Sequence, residues 1–283
     1  MTSFVFFGTG HFAEHVLKTL IERGSAPDFI VTAPDKPVGR HQIITPPPVK
    51  ILADLHGIKT IQPVTLKTVE SLDILKGIID SVEVCIVADY GKILPQALLD
   101  LSPVGFLNIH PSLLPKHRGP APLQATILSN NPETGISIIK IDALMDHGPL
   151  IVQENVTVPN WPLTTKELSD FMAFRSAELL IEILPKYVEG VIELTEQDHD
   201  AATYTSMIEK KDGEVDIVND SLESVYLKYC AYHEWPGVYF MHNGKRVKIK
   251  KMSFMDERYV IDRVTPEGKN EVDWSEYVKY HPL

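Results

Sequence analysis

The segment that most constrains this chain is Phe106 to Pro122, FLNIHPSLLPKHRGPAP, where a short apolar strand is cut off by Pro111. Side chains two apart on a strand share a face, so Asn108 and His110 point the same way. Proline cannot donate to a central ladder, and the strand must stop there. A polar pair is thereby left at a strand's carboxyl end, where open α/β sheets bind their ligands. A second loop, Asp142 to Pro149 (DALMDHGP), follows the strand-like Ile136 to Asp142 and carries Asp146 in a turn bounded by Gly148.

Acyl transfer is the chemistry that suits such a corner. The Asn108 amide can donate to an oxygen that turns negative in a tetrahedral intermediate, and His110 can donate or move a proton. Asp146 is the best candidate for the carboxylate that sets the imidazole tautomer and stabilises its charged form. Taken singly, Asn108 and Asp146 are also ordinary turn residues and His110 an ordinary structural histidine.

Further back, Ser3 to Phe7 reads as a first strand, and Gly8-Thr-Gly10-His-Phe-Ala13 opens a helix through Leu20 or Ile21. Gly8, Gly10 and Ala13, with Asp35 near the end of the next strand, fit a dinucleotide fingerprint. The same glycines also serve any tight strand-to-helix turn, and a nicotinamide cofactor leaves residues 108–119 unexplained. Prolines at 46–48 can start a helix over Val49 to His56. Val82 to Ala88 is apolar throughout and fit for burial on both faces. Leu123 to Leu128 predicts a short helix, Gly135 to Ile141 and Leu150 to Val158 a hairpin-like pair, and Thr164 to Tyr187 a long amphipathic helix ended by Pro185 or just beyond. This alternation predicts an α/β fold with a doubly wound, mainly parallel sheet. Past a boundary near Gln197 to Lys211, strands are expected at Val238 to Phe240, Val247 to Ile249 and Arg258 to Asp262.

The 283 residues, 44% of them hydrophobic, suffice for one large or two unequal domains. The net charge of −11 argues against a generally basic nucleic-acid surface. Two local basic patches remain: Lys36, Arg40, His41 and Lys50, and then Lys245, Arg246, Lys248, Lys250 and Lys251, which alternate like the exposed face of a strand. Cys85 and Cys230 form neither a disulfide framework nor a zinc site. MTSFVFFGTG lacks the basic start of a signal peptide, and no window is long enough to span a bilayer, so a cytoplasmic protein is expected.

Asn-x-His-x-Ser-Leu-Leu-Pro at 108–115, then Arg118-Gly119, then Asp146-x-Gly148, closely resembles the folate-dependent formyltransferases. The resemblance implies a formyltransferase-like Rossmann fold and transfer of a formyl group from 10-formyltetrahydrofolate to an amine, with no metal. It makes Asn108, His110 and Asp146 the catalytic trio. It places Ser112, Leu113, Leu114 and Pro115, with Tyr90 and Gly91 of the loop after Ala88, around the folate. Asp89 stands where many members carry a small residue, and no role is assigned to it.

The run Asp35-x-Pro-x-Gly-Arg40, then Pro46-x-Pro48-Val-Lys50, then Gln62-Pro63-Val64, is similar to the branch of the family that formylates initiator methionyl-tRNA. There the corresponding loop approaches the acceptor arm, which implies RNA contacts at Lys36, Arg40 and Lys50. Tyr204 with Lys210-Lys211 resembles that branch's interdomain linker, and Trp235-Pro236 its next motif. The implied division is a catalytic domain at 1–195, a linker at 196–211 and a C-terminal domain at 212–283. That domain has too few residues for a full oligonucleotide-binding barrel, so a shortened, mostly β version is expected. The expected protein is a monomer acting on initiator methionyl-tRNA. The alternatives are a formyltransferase acting on a sugar amine and a hydrolase of formyltetrahydrofolate.

Overall fold

The structure is a computed structural model that describes residues 2–39, 41–256 and 258–282. The strands and helices of the first two-thirds run β1 (Phe4–Gly8), α1 (His11–Glu22), β2 (Phe29–Val31), β3 (Lys36–Val38), β4 (Ile43–Thr45), α2 (Pro48–Leu55), β5 (Lys59–Ile61), α3 (Val69–Ile79), β6 (Val84–Ala88), α4 (Gln96–Leu99), β7 (Phe106–His110), α5 (Pro122–Leu128), β8 (Glu133–Lys140), β9 (Leu150–Thr157) and α6 (Thr165–Val188). After these come α7 (Leu222–Tyr232), β10 (Val238–His242), β11 (Lys245–Met255), β12 (Arg258–Pro266), β13 (Val272–Asp273) and α8 (Trp274–Tyr280).

Among the described residues, seven strands form the main sheet in the order β5-β2-β1-β6-β7-β8-β9. From β5 to β7 neighbours run parallel, and β8 joins β7 antiparallel. Every residue of β1 (FVFFG) and of β6 (VCIVA) is buried. Neither strand carries a polar side chain, so both are stable only in the middle of the sheet with both faces covered. Full burial of Phe4, Phe6 and Phe7 contributes roughly 1.5–3 kcal/mol each. The chain turns from β1 toward β2 and from β6 toward β7 on opposite sides. The crevice between the carboxyl ends of β1 and β6 is therefore a topological switch point.

Packing divides the chain into two compact units. The first holds Met1–Pro120, Thr134–Val156 and Ser169–Tyr204, hence the main sheet. The second holds Ala121–Glu133, Thr157–Leu168 and Thr205–Leu283. Its α5 packs against α7, and its sheet runs β10-β11-β12-β13, antiparallel throughout. Among the described residues the order does not close on itself, so the smaller, mostly β domain is an open antiparallel sheet. Along β11, Val247, Ile249 and Met252 are buried while Lys245, Arg246, Lys248, Lys250 and Lys251 are exposed. A register shift between Ile249 and Lys251 keeps Lys250 and Lys251 both outside, which a regular strand cannot do. The predicted strands here are short by several residues, and α7 and α8 were not expected.

Candidate active site

Asn108 and His110 lie at the carboxyl end of β7, as the period of two requires, and His110 is buried. Asp146 comes from the turn between β8 and β9, in the left-handed region at φ 50°. That conformation aims its carboxylate at all three neighbours. Oδ1 accepts from Asn108 Nδ2 at 3.1 Å, and Oδ2 accepts from the Gly119 amide at 2.7 Å. His110 Nδ1 stands 3.7 Å from Oδ2, close enough for charge to act but too far for a hydrogen bond. His110 Nε2 donates to the His117 carbonyl at 3.0 Å. A carbonyl only accepts, so Nε2 carries the proton and Nδ1 is the nitrogen left to gain or lose one.

Glycine at 148 is what lets the Asp146 turn close. A Cβ there would overlap the Lys140 carbonyl oxygen, a backbone atom that cannot swing aside. The neighbouring loop is equally fixed. Ser112 is fully buried, its hydroxyl donating to the Lys116 carbonyl at 2.7 Å and its own carbonyl accepting from Ser137 Oγ at 2.7 Å. Ser137 Oγ accepts the Leu114 amide at 3.1 Å, and Gln153 Nε2 donates to the Leu114 carbonyl at 2.8 Å. Leu113 and Pro115 are half-buried beside the buried Leu114.

The loop after β6 holds the remaining candidates. The Tyr90 ring is in the core, edge-on to Phe7 with centroids 5.6 Å apart, and burial pushes its hydroxyl up to about 12. Gly91 follows at φ 72° with open space around it. Lys36 is exposed on β3. Lys50 instead donates to Asp35 at 2.9 and 3.0 Å, and Gln62 Nε2 donates to the same carboxylate at 2.7 Å. These bonds, that of Gln62 foremost, hold Asp35 below the usual carboxylate range. The three proline-flanked words read from the sequence thus meet at one carboxylate. Arg40 lies outside the described residues.

Asp89 has a place that the sequence did not disclose. Its backbone is left-handed at φ 43°, and its carboxylate lies against Gly10, where any Cβ would overlap it. It takes hydrogen bonds from the Phe12 and Ala13 amides at the start of α1, whose own N-cap Gly10 has no side chain to offer. The position a pyrophosphate takes in dinucleotide-binding folds is thus filled by a carboxylate of the chain itself. The residue as a whole is exposed, but its carboxyl is enclosed against Gly10 and the start of α1, and that enclosure raises it from 3.8 to about 6, against the opposing pull of His11 and the two amides. An acid raised in the folded state costs stability when ionised. The cost is absent below the unfolded value, grows as pH rises through it, and is complete above about 6. Asp89→Asn is therefore expected to gain denaturant midpoint over wild type progressively from pH 4 to 6 and to hold that gain above; a gain equal at all pH values would contradict this.

Also missed was a buried cluster behind the Asp146 turn. Arg118, 1% exposed, points Nε and Nη2 at Gln197 Oε1 (3.2 and 2.7 Å) and Nη1 at the Tyr204 hydroxyl (3.2 Å). Arg118 was visible beside Gly119, but Gln197 is 79 residues away and carried no local signal.

A family model described as Formyl transferase matches residues 1–184, and one described as Formyl transferase, C-terminal domain, matches residues 207–259. The chain belongs to the formyl transferase family. Among its relatives, the formyl transferase of Chloroflexus aggregans named methionyl-tRNA formyltransferase is 40% identical over 87% of this chain and 78% of its own length. Methionyl-tRNA formyltransferase from Clostridium thermocellum shares the fold at TM-score 0.63 and 16% identity, over 94% of this chain and 99% of that one. HypX from Aquifex aeolicus, solved in complex with tetrahydrofolic acid, does so at TM-score 0.66 and 13% identity, over 98% of this chain. This formyl transferase spans about half the length of HypX, 47% of that chain. No helix among its described residues is long and apolar enough to cross a membrane.

Proposed function

We propose that this formyl transferase moves the formyl group of 10-formyltetrahydrofolate to the amino group of initiator methionyl-tRNA. The observation that carries the reading is the Asn108–Asp146–His110 corner, together with relatives named for that reaction at 40% identity. A neutral amine attacks the formyl carbon, and the carbonyl oxygen becomes an oxyanion. The free Asn108 N–H offers it a donor in a site shielded from water, where such a donor acts most strongly. Asp146 sets the protonation of His110 and stabilises the imidazolium once Nδ1 takes the proton of the attacking nitrogen. Collapse breaks the bond from carbon to N10, and the proton held on His110 Nδ1 passes to that nitrogen as tetrahydrofolate leaves.

Ser112, Leu113, Leu114, Pro115 and the backbone at Tyr90 and Gly91 line the donor pocket in this reading. Residues 1–195 carry the chemistry, 196–211 link, and 212–283 meet RNA through the exposed lysines and arginine of β11. Lys36 and Arg40 contact the acceptor end in this reading, and Lys50 is held by Asp35. The enzyme acts as a cytoplasmic monomer. The test is formyl transfer from 10-formyltetrahydrofolate to charged initiator methionyl-tRNA, with uncharged tRNA, amino sugars and no acceptor in parallel. Transfer to the charged tRNA alone is expected; transfer to an amino sugar, or formate release without acceptor, would overturn the substrate.

A further inference from the structure

The segment 195–204 is threaded through the site from a distance in sequence. Thr195 exchanges backbone hydrogen bonds with Leu150 at 2.8 and 2.9 Å. The Thr203 amide donates to the Pro115 carbonyl at 3.1 Å, and its carbonyl accepts from the Arg118 amide at 2.9 Å. Thr203 Oγ1 accepts from the His117 amide at 2.8 Å. One strap therefore holds both the 112–119 loop and the turn that carries Asp146.

Gln197 is the strap's contact with that turn. It is 5% exposed, and its Nε2 donates to the carbonyls of Asp146 at 3.0 Å and Gly148 at 2.7 Å. Which end of a glutamine amide faces which partner is settled here by chemistry. The Arg118 guanidinium can only donate, so it claims Oε1; the two carbonyls can only accept, so they require Nε2. His199 Nδ1 accepts from Arg118 Nη2 at 2.9 Å and further restricts the guanidinium. The His199 ring stacks on His147 of the same turn, centroids 3.9 Å apart and planes 4° from parallel. Asp146 sits at φ 50°, a conformation that surrounding contacts must hold in place.

We infer that Gln197, oriented by Arg118, is a positioning residue that holds the Asp146 turn so that its carboxylate reaches Asn108, Gly119 and His110. It touches no reacting atom. Loss of its amide lets the carboxylate drift, and a displacement of about an ångström costs on the order of a hundredfold in rate. The donor pocket, held by Ser137, Gln153 and the strap's own Thr203 through bonds that do not involve the Gln197 side chain, keeps its shape. This rests on the proposed reaction, but its physical core does not need the acceptor to be known.

The test pairs two readouts on the full chain. In Gln197→Met, kcat for formyl transfer to methionyl-tRNA is expected to fall roughly ten- to a hundredfold, with KM for 10-formyltetrahydrofolate within twofold. Amide hydrogen exchange at Gly119, whose N–H is held by Asp146 Oδ2, is expected to speed up roughly tenfold, while the Arg118 amide, held by the Thr203 carbonyl, stays as in wild type. Gln197→Glu keeps the acceptor for Arg118 but lacks the donors. It is expected to fold and to show the same selective change at Gly119 should the methionine variant be unstable. Unchanged Gly119 exchange in Gln197→Glu, or a loss confined to KM, would overturn the inference. A wild-type protein inactive on methionyl-tRNA would instead overturn the proposed substrate, with Gly119 exchange still deciding the role of Gln197.

Discussion

His110→Ala is expected to lower kcat for formyl transfer by a hundredfold or more, at the scale of ~10²–10⁴ for the loss of a positioned acid–base group. The attacking amine loses the nitrogen that accepts its proton, and the oxyanion loses the imidazolium charge that forms beside it as that proton is taken. His110 is buried and its Nε2 is already spent on the His117 carbonyl, so Nδ1 is the one ring nitrogen it brings to the reaction. Asn108→Ala and Asp146→Ala are expected to lose turnover on a similar scale, because Asp146 bonds Asn108 directly and faces His110. Their losses should be far from additive, since the three act as one unit. Steady-state kinetics on the single and double variants measures this. Turnover of His110→Ala within a few-fold of wild type would remove the mechanism.

Gly148→Ala is the second large effect, and it acts without touching a reacting group. The added methyl would overlap the Lys140 carbonyl oxygen, so the backbone of the turn must move. The Lys140 amide donates to Pro149 at 3.0 Å, and the Gly148 carbonyl is one of the two that Gln197 holds, so both anchors are strained together. A stability loss of about 1–3 kcal/mol is expected from such overpacking. Turnover should fall on the order of a hundredfold as Asp146 leaves its place. Thermal unfolding and kcat measured on the same variant separate the two effects. A variant that keeps wild-type turnover would show that the turn tolerates displacement and that the Asp146 position is not critical.

These two substitutions differ in how readable they were. His110 is legible because a strand has a fixed period and a proline a fixed defect: Asn108 and His110 must share a face, and the ladder must end at 111. The uninterrupted apolar runs of β1 and β6 likewise fit strands buried on both faces. The clash at Gly148 involves a carbonyl eight residues back along the chain, brought near only when β8 and its turn fold over. Asp89 shows the same limit. Nothing local marks it as the cap of α1, because the helix start and the carboxylate come from different strands that meet only at the switch point.

Local physics therefore determines where strands end, which polar residues stand at those ends, and that the sheet is doubly wound. These follow from periodicity and from the missing N–H of proline, both properties of neighbouring residues. Which groups hold the catalytic residues in register is decided by three-dimensional packing. Arg118, Gln197 and the Gly119 amide are joined to the Asp146 turn across long stretches of chain, and hydrogen bonds between distant residues leave no period in the sequence.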